Sequence, residues 1–337
     1  MSDFELNWLA PQWRSLAARL GTLPHALMLR GPRGIGKLLL ARQLAQALLC
    51  EAPAAKRPCG ACEGCRWLAS GNHPDFREVA LEGDDGESGE DGDTKTKRAP
   101  TQIRIGQIRA LDEFVGVSAH RTGGKVILLH PAEALNTAAA SALLKMLEEP
   151  PSDTRFILIS HRSGGVLPTI LSRCEKVDLG LPKPAEAEKW LKGRVAQPAL
   201  ALAQAGGAPL LAAEYDDAEW WKQRQEFLAL LAGADFAPLA VAERVRAFPV
   251  DRLVGWLQRW AYDLAAAAGG AAVAFNPDFA RELQALGRRA GALSAGRFYR
   301  TATRAQRAVH HPLNPQLFIE QLLLEYGAAC QGRALAA

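Results

Sequence analysis

Two groups of residues in this chain have the types and spacing to do chemistry. The first is Gly31, Gly34, Gly36 and Lys37 within the run Gly31-Pro32-Arg33-Gly34-Ile35-Gly36-Lys37. Glycines let backbone N–H groups close around an anion, the lysine adds a point charge, and a helix starting there aims its N-terminus at the same spot. The chemistry is phosphate binding. A working loop of this type follows its lysine with Ser or Thr, whose hydroxyl holds Mg²⁺, and here that position is Leu38. The second group is Cys50, Cys59, Cys62 and Cys65, spaced C-x8-C-x2-C-x2-C, with Gly60 and Gly64 permitting tight turns. Four thiolates can close a tetrahedral Zn²⁺ site with no open position for catalysis, so the reading is structural zinc. An iron–sulfur cluster and unligated thiols are the alternatives. Few basic residues lie in or beside the block, only Lys56, Arg57 and Arg66, which favours a scaffold over a nucleic-acid module.

The elements that position these groups follow from apolar patterning. Ala26-Leu27-Met28-Leu29 is a buried strand leading into the loop, and Ala41, Leu44, Ala45 and Leu48 recur at helical spacing after it. Residues 75–79 alternate like a strand, whereas residues 82–97 are dominated by Gly, Asp, Glu, Ser, Thr and Lys and read as a mobile surface loop. Val126-Ile127-Leu128-Leu129 is a second apolar strand. In phosphate-loop ATPases the acids that manage Mg²⁺ and water follow such a strand directly, but here His130-Pro131-Ala132-Glu133 follows. Neither His130 nor Pro131 replaces a carboxylate, and Glu133 comes late. A helix over residues 137–148, capped by Asn136, stops at Pro150-Pro151, and residues 155–160 and 176–179 make two further strands. Strands alternating with helices predict an α/β fold with a parallel sheet covered on both faces.

After Leu181-Pro182-Lys183-Pro184 the chain turns to alanine- and leucine-rich helical patterns: a small group over residues 185–215, then a longer one over 218–332. The last helix opens with Asn314-Pro315, a cap and first-turn proline, and presents Leu317, Phe318, Leu322 and Leu324. Trp220, Trp221, Trp256 and Trp260 read as core or subunit-interface anchors rather than base-stacking platforms. The length, 337 residues, calls for two or three domains. Lys+Arg 40 against Asp+Glu 36 leaves a formal net charge of +4, too slight to imply nucleic-acid binding by itself. No apolar run is long enough to span a membrane, the N-terminus lacks the pattern of a signal peptide, and a cytoplasmic location is expected.

The combination of Pro24-His25-Ala26, the phosphate loop, the cysteine block, Ala142-Leu143-Leu144-Lys145-Met146-Leu147-Glu148-Glu149-Pro150-Pro151 and Ser172-Arg173-Cys174 resembles the clamp-loader branch of the AAA+ proteins. That resemblance implies a RecA-like sheet domain over residues 1–180 with a zinc module at 50–65, a small helical lid over 181–216, and an all-α collar for oligomerisation over 217–332. It implies a heteropentameric ring in which ATP lies between neighbours and Ser172-Arg173-Cys174 carries an arginine finger, Arg173, into the next subunit's site. The implied partners are the gamma or tau and delta subunits of bacterial DNA polymerase III, with sliding clamp and primed DNA reached through the assembly. Leu38, His130-Pro131 and the lid run Gly207-Ala208-Pro209-Leu210, which has no arginine, depart from the hydrolysing members. The expectation is a subunit of the polymerase holoenzyme with zinc, a vestigial phosphate loop and no working Mg-ATP of its own. The alternatives are an active motor of the gamma or tau type and a zinc protein that binds nucleic acid alone.

Overall fold

The computed structural model describes residues 6–81, 102–121, 123–162, 164–309 and 314–332. The expected acidic surface loop lies outside these residues. The chain divides into two compact units, Met1–Lys183 and Pro184–Ala337.

The first unit runs α1 (Ala10–Ala17), β1 (Ala26–Arg30), α2 (Lys37–Leu49), α3 (Glu63–Ala69), β2 (Phe76–Val79), α4 (Ile105–Gly116), β3 (Lys125–Leu129), α5 (Thr137–Glu148), β4 (Thr154–Ser160), α6 (Pro168–Leu171) and β5 (Glu175–Asp178). The strands form one parallel sheet in the order β2-β3-β4-β1-β5. Register is set along the middle: Leu128 faces Ile157, and Leu29 faces Ile159 on one side and Val177 on the other. The three central strands are almost wholly buried, which is why they read as continuous apolar runs, while edge strands β2 and β5 carry Arg77, Glu78, Lys176 and Asp178. Helix α2 buries Leu40, Ala41, Leu44, Ala45 and Leu48. Ile108, Leu111, Leu143, Leu147 and Ile170 from α4, α5 and α6 join a core with Met28, Ile127 and Phe156. Asn136 caps α5 as expected, its side chain accepting from Ala139 N at 2.8 Å. The sheet architecture implied by the resemblance is present.

The second unit is helical: α7 (Pro184–Leu191), α8 (Pro198–Gln204), α9 (Pro209–Ala213), α10 (Ala218–Ala232), α11 (Pro238–Arg244), α12 (Val250–Ala268), α13 (Ala280–Ala308) and α14 (Pro315–Cys330). α13 is broken at Gly291, with φ of 73° and ψ of 155°. Helices α7 to α9 enclose a small cluster around Ala187, Leu191 and Ala201, and Tyr215 and Trp221 pack against both it and the larger core of α10 to α14. Trp220, Trp256 and Trp260 are buried in that larger core. In α14 the apolar set splits: Leu322 is buried with Ile319, Leu323 and Tyr326, whereas Leu317 and Leu324 face solvent at 62% and 44% exposure. Two polar knots lie inside this unit. Asp263, fully buried, accepts from the backbone of Ala274, Phe275 and Asn276 and from the Asn276 amide. Arg224, also fully buried, grips Asp278 in two hydrogen bonds and donates a third to Asn276. Buried charges persist only when paired, and here both Arg224 terminal nitrogens are, although its Nε has no partner among the described residues.

The Tyr326 hydroxyl donates to Leu231 O at 2.8 Å and accepts from Trp260 Nε1 at 3.1 Å. Tyr326→Phe strands both partners in the core, so urea unfolding followed at the tryptophans is expected to show a loss of about 1–3 kcal/mol. An unchanged midpoint would contradict that.

Candidate functional site

The phosphate loop joins β1 to α2 where the backbone meets its neighbours without clearance. A Cβ added at Gly31 would sit 2.1 Å from Leu179 O, and one at Gly36 2.2 Å from Leu6 Cδ1. Both have positive φ, 152° and 97°, which an L side chain rarely adopts. Trp8 reinforces the contact from the N-terminal segment, its indole donating to Ile35 O at 2.9 Å. Lys37 is the first residue of α2 and only 2% exposed. Its ammonium donates to Gly31 O at 2.7 Å and Pro32 O at 2.5 Å. Burial pulls its pKa down to about 8 against the opposing charge of Glu133. Leu38, half-buried, offers no oxygen beside it.

The carboxyl end of β4, paired with β1, lies beside this loop, and that of β3 lies one strand further out. His130, just past β3, shares a 2.7 Å hydrogen bond with Glu78 of β2, and Arg42 of α2 donates to the same carboxylate at 2.7 and 3.2 Å. Burial acts to raise the Glu78 carboxyl, but its hydrogen bonds to His130 and Arg42 outweigh that and hold it below the usual range. It is therefore an ionised, paired carboxylate rather than a free one. Glu133 is the residue that sequence reasoning set aside as too late in the chain. A 3-10 turn, Ala132–Ala134, brings it back to the end of β4, where it accepts from His161 N at 2.9 Å and its second oxygen is buried without a protein partner. The length of that turn, three residues, was the available signal. Burial and the Lys37 charge push His161 down to about 4, with Glu133 opposing.

The four cysteines come together as their spacing predicts. Their sulfurs all lie within 4.8 Å of one another, with Cys50 to Cys62 at 3.9 Å and Cys59 to Cys65 at 4.0 Å. A tetrahedron of ~2.3 Å Zn–S bonds requires separations of about 3.8 Å. Backbone N–H groups point at the sulfurs: Cys59 N at Cys50, Ala61 N and Cys62 N at Cys59, Cys65 N at Cys62. The donors from Ala61 and Cys62 lower the Cys59 thiol to about 6, whereas burial raises Cys50 and Cys65. Such a set could hold a metal such as zinc. Arg121, remote in sequence, clamps the module by pairing with Glu51 and Glu63 and lying 4.6 Å over the Trp67 ring. Fully buried Asp75 fixes that clamp by accepting from His120 N and Arg121 N.

Ser172-Arg173-Cys174 lies between α6 and β5. The Arg173 side chain is 34% exposed, donating to Thr169 O at 3.0 Å and to Ser172 Oγ at 3.3 Å and pairing with Glu148. Ser172 Oγ donates to Thr169 O, and Cys174 is buried in the sheet core, its thiol pushed up to about 11. Arg173 and the phosphate loop are thus separate features of one unit.

His161 stays neutral in the fold down to about pH 4, whereas an unperturbed imidazole protonates near 6.5. Between those values the unfolded chain binds more protons, so stability falls as pH drops through this window. Glu78, held low, adds a loss of the same sign at more acid pH, as its folded carboxylate becomes protonated. The thermal midpoint is expected to decline from pH 6.5 to 4, and His161→Gln to flatten that decline in a melting series.

The family described as DNA polymerase III, delta subunit, matches residues 11–182, and that described as DNA polymerase III, delta subunit, C terminal, matches residues 218–327. DNA polymerase III subunit delta' of Pseudomonas aeruginosa is 39% identical over 261 residues, 75% of this chain and 75% of that protein. The subunit delta' of Haemophilus influenzae is 35% identical over 228 residues, 66% of this chain and 64% of that protein, so this chain spans slightly under two thirds of it. A solved gamma subunit-related protein of DNA polymerase III from Thermotoga maritima aligns with a TM-score of 0.48 at 17% identity, over 95% of this chain and 99% of that one. With a family match over half of its residues and a relative this similar over three quarters of its length, the chain belongs to the family of DNA polymerase III delta' subunits.

Proposed function

We propose that this chain is a clamp-loader subunit of the bacterial replicative polymerase that hydrolyses no nucleotide in its own site and completes a neighbour's ATPase site through Arg173. The observation that carries the first half is the fate of the charges around the loop. Lys37 is spent on the carbonyls of Gly31 and Pro32, Glu78 of the edge strand on His130 and Arg42, and one oxygen of Glu133 on His161 N, while Leu38 supplies no hydroxyl. Hydrolysis needs the lysine on a phosphate, a hydroxyl and an acid on Mg²⁺, and a carboxylate or amide to orient water. The second half rests on Arg173 as a half-buried guanidinium at the edge of the sheet unit, bonded to Thr169 O and Ser172 Oγ and paired with a surface carboxylate, Glu148, that a phosphate can replace. In this reading residues 1–180 form the ring's sheet domain, 181–216 its lid and 217–332 its collar. The gamma or tau and delta subunits are its partners, and the clamp and primed DNA are reached through the assembly in the cytoplasm.

Two measurements test this. The isolated chain is expected to show no ATP turnover above background; robust hydrolysis would identify it instead as a motor of the gamma or tau type. In the reconstituted ring, Arg173→Ala is expected to leave assembly intact and slow turnover at the facing site by ~10³-fold or more. Normal ATPase in an intact variant ring removes Arg173 from the chemistry.

The cysteine cluster is read as a structural zinc site, closed by Cys50, Cys59, Cys62 and Cys65. Metal analysis of the purified chain is expected to give about one zinc, and Cys62→Ser to release it and lower the melting temperature, because metal binding is folding energy in such modules. Metal-free protein with an unchanged melting temperature would rule that out.

A further inference from the structure

Helix α13 carries seven arginines and one glutamate, with no lysine or aspartate. Four of the arginines, Arg297, Arg300, Arg304 and Arg307, recur at steps of three, four and three residues, which places them on one face. Ala295, Phe298, Ala302 and Ala305 form the opposite, buried face. All four arginines are exposed, and among the described residues none has a hydrogen-bond or ion-pair partner. Outside α13, four arginines of the same unit are ion-paired, Arg224 with Asp278, Arg244 with Glu226, Arg246 with Glu243 and Arg252 with Asp217, while Arg194 and Arg259 lie against Trp190 and Tyr215. Like charges three and four apart repel and weaken a helix. The helix dipole offsets this only in the last turn, where Arg307 lies, and leaves Arg297, Arg300 and Arg304 unaccounted for.

We propose that this stripe docks the phosphodiester backbone of nucleic acid. Its four charges span ten residues of helix, about 15 Å at 1.5 Å per residue. That is roughly four base-pair steps of ~3.4 Å along a duplex axis. Guanidinium forks meet phosphate oxygens in pairs and do so for any base sequence. Gly296, Thr301 and Ala308 border the arginines in helical projection, small residues that build no pocket for a peptide side chain. Contact through phosphates rather than bases, in a line, suits a uniform polyanion. The surface lies in the helical unit and is independent of the Arg173 reading.

The test is fluorescence anisotropy of the full chain with an oligothymidylate strand and a duplex across a salt series. Four phosphate contacts predict slopes of log affinity against log salt of about −2.8 for the strand and about −3.6 for the duplex. A fourfold variant, Arg297→Gln, Arg300→Gln, Arg304→Gln and Arg307→Gln, keeps good helix formers in place. It is expected to retain native circular dichroism, lose at least tenfold in low-salt affinity and bring the slope near zero. The pair Arg244→Gln and Arg246→Gln, which removes ion-paired charges from α11, is expected to leave the slope unchanged. Native binding by the fourfold variant, equal loss per charge in the α11 variant, or polyglutamate binding as tightly as the strand each overturns the proposal.

Discussion

The turn from β1 into α2 has no room for a side chain at Gly31 or Gly36, and much of the sheet unit is arranged by that steric constraint. With the backbone pressed against Leu179 on one side and Leu6 on the other, α2 must begin at Lys37, and its ammonium is carried into the interior. A buried charge demands acceptors, and the nearest are the carbonyls of the loop itself. Glu133 supplies the opposing charge, and His161, facing the same lysine, is kept neutral. The geometry of a phosphate site thus survives with its polarity turned inward.

A second constraint, four sulfurs converging on one point, organises the segment between α2 and β2. The knuckle is built locally by N–H donors two or three residues from the Cys59 and Cys62 sulfurs, which is why spacing alone announces it. What holds the knuckle to the sheet is not local: Arg121 and Asp75 tie it to the approach to β3. The acidic partners of Arg121 are unremarkable in sequence because surface Glu and Arg residues are common and their pairing depends on which turns bring them together.

The helical unit shows the same contrast. Its aromatic core was legible because Trp220, Trp256 and Trp260 lie on apolar faces at helical spacing, and large aromatics on such faces are buried. The exposed Leu317 and Leu324 were not distinguishable from buried Leu322, since α14 is apolar on more than one side and only its neighbours decide which side is covered. The arginines of α13 were hidden in another way: a formal net charge of +4 averages them against acids elsewhere in the chain, whereas their concentration on one face is a property of the helix.

Sequence by itself determined the five strands, the parallel α/β class, the turn chemistry of the phosphate loop, the cysteine quartet and the caps of α5 and α14, because each depends on residues within a few positions of one another. It also determined what the loop lacks, since a missing hydroxyl at Leu38 needs no coordinates. Tertiary structure alone decided that Lys37 turns to its own loop, that Glu133 returns to the site, that Glu78 is paired with His130 and Arg42, and that Arg173 rests on Glu148. Those are contacts between elements distant in the chain, and their geometry is set by strand order and packing, which no local pattern encodes.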